Sequence, residues 1–274
     1  MPDHLAAPLH HVERGAPAAP GTPTMVLLHG FPVDHRLMLT PFEAALADRP
    51  GWRRVYLDLP GMGASAPSGV ASTDDVLAVV REAIDRLVPG PYVLVGESFG
   101  GYLARGLVAA EPGRVHGLAL LCPLIVPEHD RRDVPPHRVL VRDDALLREV
   151  GAAALDADDI GVVQTPETWR RTEAEVTPGL DAADPATVAR VGERFAGTFA
   201  VEPRPYDGPT LFLTGRQDSS TGYRDAWRVL EHYPRATFAV LDRAGHNLQI
   251  EQPALFDALV GEWLDRVEEA ASGD

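Results

Sequence analysis

Short apolar runs alternate along the chain with longer amphipathic stretches. Met25-Val26-Leu27-Leu28, Arg54-Val55-Tyr56-Leu57, Tyr92-Val93-Leu94-Val95, Val115 to Leu121, Thr210-Leu211-Phe212-Leu213 and Thr237 to Leu241 read as strands. Leu9 to Glu13 adds a short leading strand. Between these runs the spacing becomes helical. Val76, Val79, Val80, Ala83, Ile84 and Leu87 line one face of a helix, and Phe256, Leu259, Val260, Trp263, Leu264 and Val267 line another. Leu37 to Ala47, Gly100 to Ala110 and Tyr223 to His232 read as further helices. The strands are apolar throughout instead of alternating with polar residues. A strand of that kind is buried on both faces, so the pattern predicts an α/β protein with a mostly parallel sheet between two helical layers.

The rhythm breaks after Pro123. From about 124 to 205 there is no strong strand signal, only charge clusters and short helical patterns at Asp143 to Val150 and Pro185 to Phe199. Leu146, Leu147, Val150, Trp169, Val188, Val191 and Phe195 supply enough apolar surface for this stretch to be ordered. The expected organisation is a core of residues 1–123 and 206–274 with a helical insertion at 124–205.

Composition narrows the partners. The chain has 274 residues and a formal net charge of −15. Such an acidic surface repels nucleic acid and anionic lipid, so neither is an expected partner; the expected partner is a small-molecule substrate. No apolar run is long enough to cross a membrane, and Met1-Pro2-Asp3-His4 does not open a signal peptide. A cytoplasmic location is expected. The one cysteine, Cys122, ends an apolar run and reads as a packed strand-end residue. Neither H-E-x-x-H nor C-x-x-C occurs, and Gly61-Met62-Gly63 lacks a third glycine. No metal and no organic cofactor are implied.

The chemistry gathers at Gly96-Glu97-Ser98-Phe99-Gly100, which directly follows a strand and opens a helix. In that context G-x-S-x-G forms a tight turn that exposes the serine hydroxyl. Ser98 is the expected nucleophile, and a serine needs a base. His246 lies between the last strand and the last helix, where such a base belongs. Asp218, after the strand Thr210 to Leu213, is the expected carboxylate behind it, with Asp225 and Asp242 as weaker rivals. The backbone N–H groups of Phe31 and Phe99 are the expected oxyanion donors, since Pro32 has no N–H. His29 reads as a buried histidine bracing its loop.

With these residues in place, the chain resembles the α/β-hydrolase superfamily over nearly its whole length. The likeness rests on His29-Gly30-Phe31-Pro32, Asp58 to Ser65, Gly96 to Gly101, Gly215-Arg216-Gln217-Asp218 and Gly245-His246. It implies an eight-stranded, mostly parallel sheet, a triad of Ser98, Asp218 and His246, and a lid over residues 124–205. A serine at position 98 disfavours the branches of the superfamily that use an aspartate nucleophile. The leading expectation is a carboxylic-ester hydrolase working through an acyl-enzyme on Ser98. A C–C bond hydrolase of the meta-cleavage-product type, with Arg138 or Arg142 holding a substrate carboxylate, is the alternative. A non-enzymatic ligand-binding member of the fold is the third reading.

Overall fold

The apolar runs become strands whose successive side chains enter opposite cores. The computed structural model describes residues 8–151 and 161–272. Its main strands are β1 (His11–Gly15), β2 (Thr24–Leu28), β3 (Arg53–Leu57), β4 (Tyr92–Glu97), β5 (Val115–Leu121), β8 (Thr210–Gly215) and β9 (Ala236–Leu241). They form one sheet in the order β1-β3-β2-β4-β5-β8-β9. Only β1 runs antiparallel, pairing with β3. Val26 and Leu28 of β2, Leu94 of β4, Leu118 and Leu120 of β5 and Phe212 of β8 enter one core. Met25, Leu27, Val93, Val95, Ala119, Leu121, Leu211 and Leu213 enter the other. This two-sided burial is the reason the strands carry no polar alternation.

Helices cover both faces. Helix α2 (Thr73–Leu87) and α3 (Phe99–Ala110) bury Val76, Val80, Ile84, Leu103 and Leu107 in the first core. Helix α1 (Arg36–Ala45) and the last helix, α10 (Pro253–Ser272), bury Met38, Phe42, Phe256, Trp263 and Leu264 in the second. None of the described helices is long and apolar enough to cross a membrane.

The main sheet has seven strands among the described residues, not the eight expected. The connection between β1 and β2 carries Pro17, Pro20 and Pro23. Proline has no N–H to give to a ladder, and no strand forms in this connection.

Between β5 and β8 lie α4 (Asp144–Val150), α5 (Pro166–Glu175), α6 (Thr177–Ala182) and α7 (Pro185–Glu193), with a two-residue ladder of β6 (Val141–Arg142) and β7 (Val163–Gln164). Residues 152–160 of the expected insertion lie outside the described residues. Helix α7 stops at Glu193, short of the expected Phe199. The next residues turn inward instead. Phe195 stacks on Phe99, and Phe199 lies against Tyr102. Likewise α8 (Arg224–Arg228) is shorter than expected and is followed by a single 3-10 turn at Leu230–His232.

One buried arginine fastens both ends of this segment to α3. Arg105 donates to the Leu124 carbonyl at 2.9 Å and to the two Glu202 carboxylate oxygens at 2.6 and 2.8 Å. The Tyr233 hydroxyl also donates to Glu202. Removing one partner of a buried ion pair strands the other charge. Arg105→Ala is therefore expected to lower stability by about 3–5 kcal/mol. A denaturation midpoint matching wild type would show that the pair does not secure the segment.

Candidate active site

The sheet order fixes where a site can form. The chain leaves β2 toward β3 on one side, and leaves β4 toward β5 on the other. A crevice opens beyond the carboxyl ends of two such neighbouring strands. The loop after β2 holds His29 to Pro32, and the turn after β4 holds Ser98.

Ser98 sits between β4 and α3 with φ 50° and ψ −114°. A non-glycine residue at positive φ is strained, and such strain concentrates at functional sites. The surroundings hold it there. Its N–H donates to Leu121 O at 2.9 Å, and its carbonyl accepts from Tyr102 and Leu124 at 3.1 and 2.9 Å. Two glycines let the chain come this close. A Cβ on Gly100 would stand 2.2 Å from Leu28 O, and one on Gly30 would stand 2.2 Å from Glu97 Oε2 and 3.3 Å from Ser98 Cβ.

Asp218 and His246 reach the same edge from the loops after β8 and β9. His246 Nδ1 lies 3.1 and 3.2 Å from the two oxygens of Asp218. Asp218 is fully buried. It also accepts from Ser220 N–H, Thr221 N–H and the Thr221 hydroxyl at 2.8, 3.1 and 2.7 Å. Burial alone would raise its pKa, but the His246 charge, its hydrogen bond and the Thr221 donors outweigh that and hold it at about 2. The rival carboxylates face elsewhere. Asp225 accepts from Asp133 N–H at 2.9 Å and pairs with Arg228, and Asp242 is exposed.

The other side of the His246 ring meets a residue the sequence reading passed over. Nε2 lies 3.3 Å from Oε1 of Glu97, the residue before Ser98. Among the described residues no hydrogen bond joins Ser98 Oγ to His246. Glu97 is buried, and its Oε1 has no hydrogen-bond donor. Burial lowers the His246 pKa, but the charges of Asp218 and Glu97 raise it further, to about 9. Burial pushes Glu97 up to about 7. The available signal was the residue type itself, a glutamate inside G-x-S-x-G at a strand end that must be buried.

Both expected oxyanion donors stand beside this crevice. Phe99 is the first residue of α3, so its N–H has no intrahelical acceptor. The Phe31 N–H likewise has no protein acceptor among the described residues. The two rings meet edge to face at 5.3 Å, and Phe195 packs on both. Behind them the loop is braced. His29 is buried, with Nδ1 2.7 Å from Gly30 O and Nε2 accepting from Leu59 N–H at 3.0 Å. Burial pushes its pKa down, which suits a neutral ring used as a strut. Asp58 accepts from His10 and His35 Nδ1 at 2.7 and 2.8 Å, and from the backbone of His35 and Ala64. Those bonds overcome its burial and keep the carboxylate ionised.

Three further residues tie the loops together. Cys122 is buried, and its Sγ contacts the Gly245 carbonyl at 3.5 Å. Burial, then the Asp218 and Glu97 charges, push its thiol up, so it stays neutral. Glu251, in α9 (Leu248–Glu251), accepts from Val162, Val163 and Gly245 N–H at 2.6, 3.1 and 2.5 Å. It thereby joins β7 to the loop that carries His246. Arg132 is bonded to the carbonyls of Val126, Pro127 and Ser220.

The comparisons agree with this architecture. Residues 23–253 match the family model described as alpha/beta hydrolase fold. A 2-succinyl-6-hydroxy-2,4-cyclohexadiene-1-carboxylate synthase of Salmonella newport is 36% identical over 252 residues, covering 87% of this chain and 92% of the relative. The synthase of that name from Enterobacter sp. is 26% identical, covering 89% and 93%. Among solved structures, an alpha/beta superfamily hydrolase from Oenococcus oeni superposes with a TM-score of 0.86 at 27% identity, covering 95% of this chain and 96% of that one. A thermophilic esterase from Thermogutta terrifontis superposes with a TM-score of 0.65 at 25% identity, covering 94% and 93%. These likenesses define the class as a hydrolase-fold enzyme. The chain belongs to the alpha/beta hydrolase family.

Proposed function

We propose that the protein is a serine hydrolase of carboxylic esters with Ser98, His246 and Asp218 as its triad. The observation that carries this reading is the strained Ser98 turn at the carboxyl edge where His246 meets Asp218. Ser98 Oγ attacks the ester carbonyl as its proton passes to His246 Nε2. The N–H groups of Phe31 and Phe99 receive the developing oxyanion. His246 then gives its proton to the departing alcohol. Water, deprotonated by the same nitrogen, releases the acid from Ser98.

Residues 124–205 act as the lid in this reading. The aromatic group of Phe31, Phe99 and Phe195 suits an apolar acyl chain of modest size. The substrate is a small molecule, and the site needs no metal or organic cofactor for this chemistry.

The test is covalent. A fluorophosphonate probe is expected to label the wild-type protein once, on the peptide containing Ser98, and to block hydrolysis of short p-nitrophenyl esters. Labelling elsewhere, with ester hydrolysis intact, would remove Ser98 from the mechanism.

A second reading follows the synthases that the chain resembles, whose named product carries a carboxylate. One observation favours it. Arg132 is near enough to influence His246, and among the described residues its hydrogen bonds all go to carbonyl oxygens, which leaves N–H groups for a substrate carboxylate. Arg138 and Arg142, the arginines expected from the sequence for that task, are exposed, and Arg142 bonds Gln164. Faster turnover of an anionic cyclohexadiene precursor than of neutral esters would favour the synthase reading over the ester reading.

A further inference from the structure

Glu97 is a buried carboxyl beside His246 that the mechanism above does not use. It ends β4, and its side chain lies beneath the Gly30 backbone, in space that any larger residue at position 30 would fill. Its Oε1 faces Nε2 of His246 at 3.3 Å. That nitrogen is the one that must accept the Ser98 proton. The imidazole therefore stands between two carboxyls, Asp218 on Nδ1 and Glu97 on Nε2.

We propose that Glu97 is a positioning residue that competes with Ser98 for Nε2 of His246, holding the ring as an imidazolium until its Nε2 proton is lost. The proton on Nε2 of the imidazolium faces Oε1 at 3.3 Å as an ion-pair contact, not as a formed hydrogen bond. While that proton is present, Nε2 has no lone pair for the serine. When solvent takes it, the ring is neutral, Glu97 is an anion, and Nε2 repels Oε1 and is free for the Ser98 hydroxyl. The consequence for rate rests on the serine-hydrolase reading. The pairing itself rests on geometry.

The other charged groups around the ring are few. Asp218 comes from the loop after β8 and favours the imidazolium. Arg132, from the segment after β5, opposes it. Cys122 lies beside Asp218 as a neutral thiol. The Glu251 carboxyl reaches this loop through the Gly245 N–H. Around Glu97 the same groups recur. His246 and the Gly30 backbone favour its ionised form, and burial and Asp218 oppose it. Glu97 is thus the nearest charge on the Nε2 side, and it is removable without touching Asp218.

The sign follows. A histidine held between two anions keeps its proton to higher pH, so base-catalysed activity rises only at alkaline pH. Replacing Glu97 by glutamine removes one anion and keeps the shape. In Glu97→Gln the acid limb of kcat/KM for a short p-nitrophenyl ester is expected about one pH unit lower than in wild type. The ring titration of His246, followed by nitrogen-15 NMR and assigned by its loss in His246→Gln, is expected to fall by the same amount. An unchanged His246 titration overturns the proposal. If Glu97→Gln does not fold, the wild type decides. The Glu97 carboxyl carbon must show an inflection at the His246 midpoint, and a single titration in the ordinary carboxylate range overturns the pairing. A protein whose His246 titration moves in Glu97→Gln but which hydrolyses no ester keeps the pairing and loses the ester reading.

Discussion

Ser98→Ala is expected to reduce kcat for short p-nitrophenyl esters by about 10^5 to 10^6, while leaving the protein folded. The hydroxyl is the only atom removed, and it makes no hydrogen bond to a described residue. The backbone bonds of residue 98 to Leu121, Tyr102 and Leu124 survive the change. So does the strain, because alanine at φ 50° is no more comfortable than serine. Glycine is. Ser98→Gly is expected to be as inactive as Ser98→Ala but more stable than wild type by about 1 kcal/mol, the release of a strained backbone conformation. The two variants together separate the chemical role of the hydroxyl from the conformational cost of presenting it. Activity within tenfold of wild type in either variant would remove Ser98 as the nucleophile. A Ser98→Gly protein less stable than wild type would show that the turn is not strained.

Much of this architecture was readable before any coordinates. The strands declared themselves because both their faces are buried, so runs such as Met25 to Leu28 carry no polar residue. Asp218 and His246 could be expected to meet because each follows a strand of one parallel sheet, and such strands end at one edge. The helix boundaries were less legible. Phe195 and Phe199 extend the apolar pattern of α7, so the helix looked longer than it is. Their burial comes from Phe99 and Tyr102, which no local pattern reveals. The eighth strand came from family likeness instead of from an apolar run, and no strand forms among the prolines before β2.

Glu97 and Arg105 were missed for a shared reason. Each is a charged residue inside an element that must be buried, and its partner lies far along the chain. Arg105 meets Leu124 and Glu202, the two ends of the inserted segment. Glu97 meets His246 from the last loop. A burial argument flags both as anomalies. Only the fold names the partner, and at Glu97 the partner turns an anomaly into chemistry.

The second large effect is expected at Asp218. Asp218→Asn should lower kcat/KM by about 10^4 with the fold intact, because the amide inverts the proton on His246. The site can accept an amide without breaking. Ser220 and Thr221 N–H both donate to Oδ1, which asparagine retains. The Thr221 hydroxyl, with one hydrogen to give, lies 2.7 Å from Oδ2 and 2.9 Å from the Cys122 carbonyl. It can donate to that carbonyl and accept from the new NH2 group. Oδ1 already accepts from two N–H groups, so Nδ1 of His246 becomes the acceptor of the new NH2 group at the nearer position, which moves the ring proton to Nε2. There the acceptor is already waiting, since Glu97 Oε1 lies 3.3 Å away. The variant histidine donates to Glu97 and has no lone pair for Ser98. This arrangement makes the loss at Asp218 depend on Glu97, so the double variant Asp218→Asn, Glu97→Gln is expected to be less impaired than the product of the two single effects. A loss at Asp218→Asn smaller than tenfold, in a protein that melts like wild type, would mean that another group orients the base.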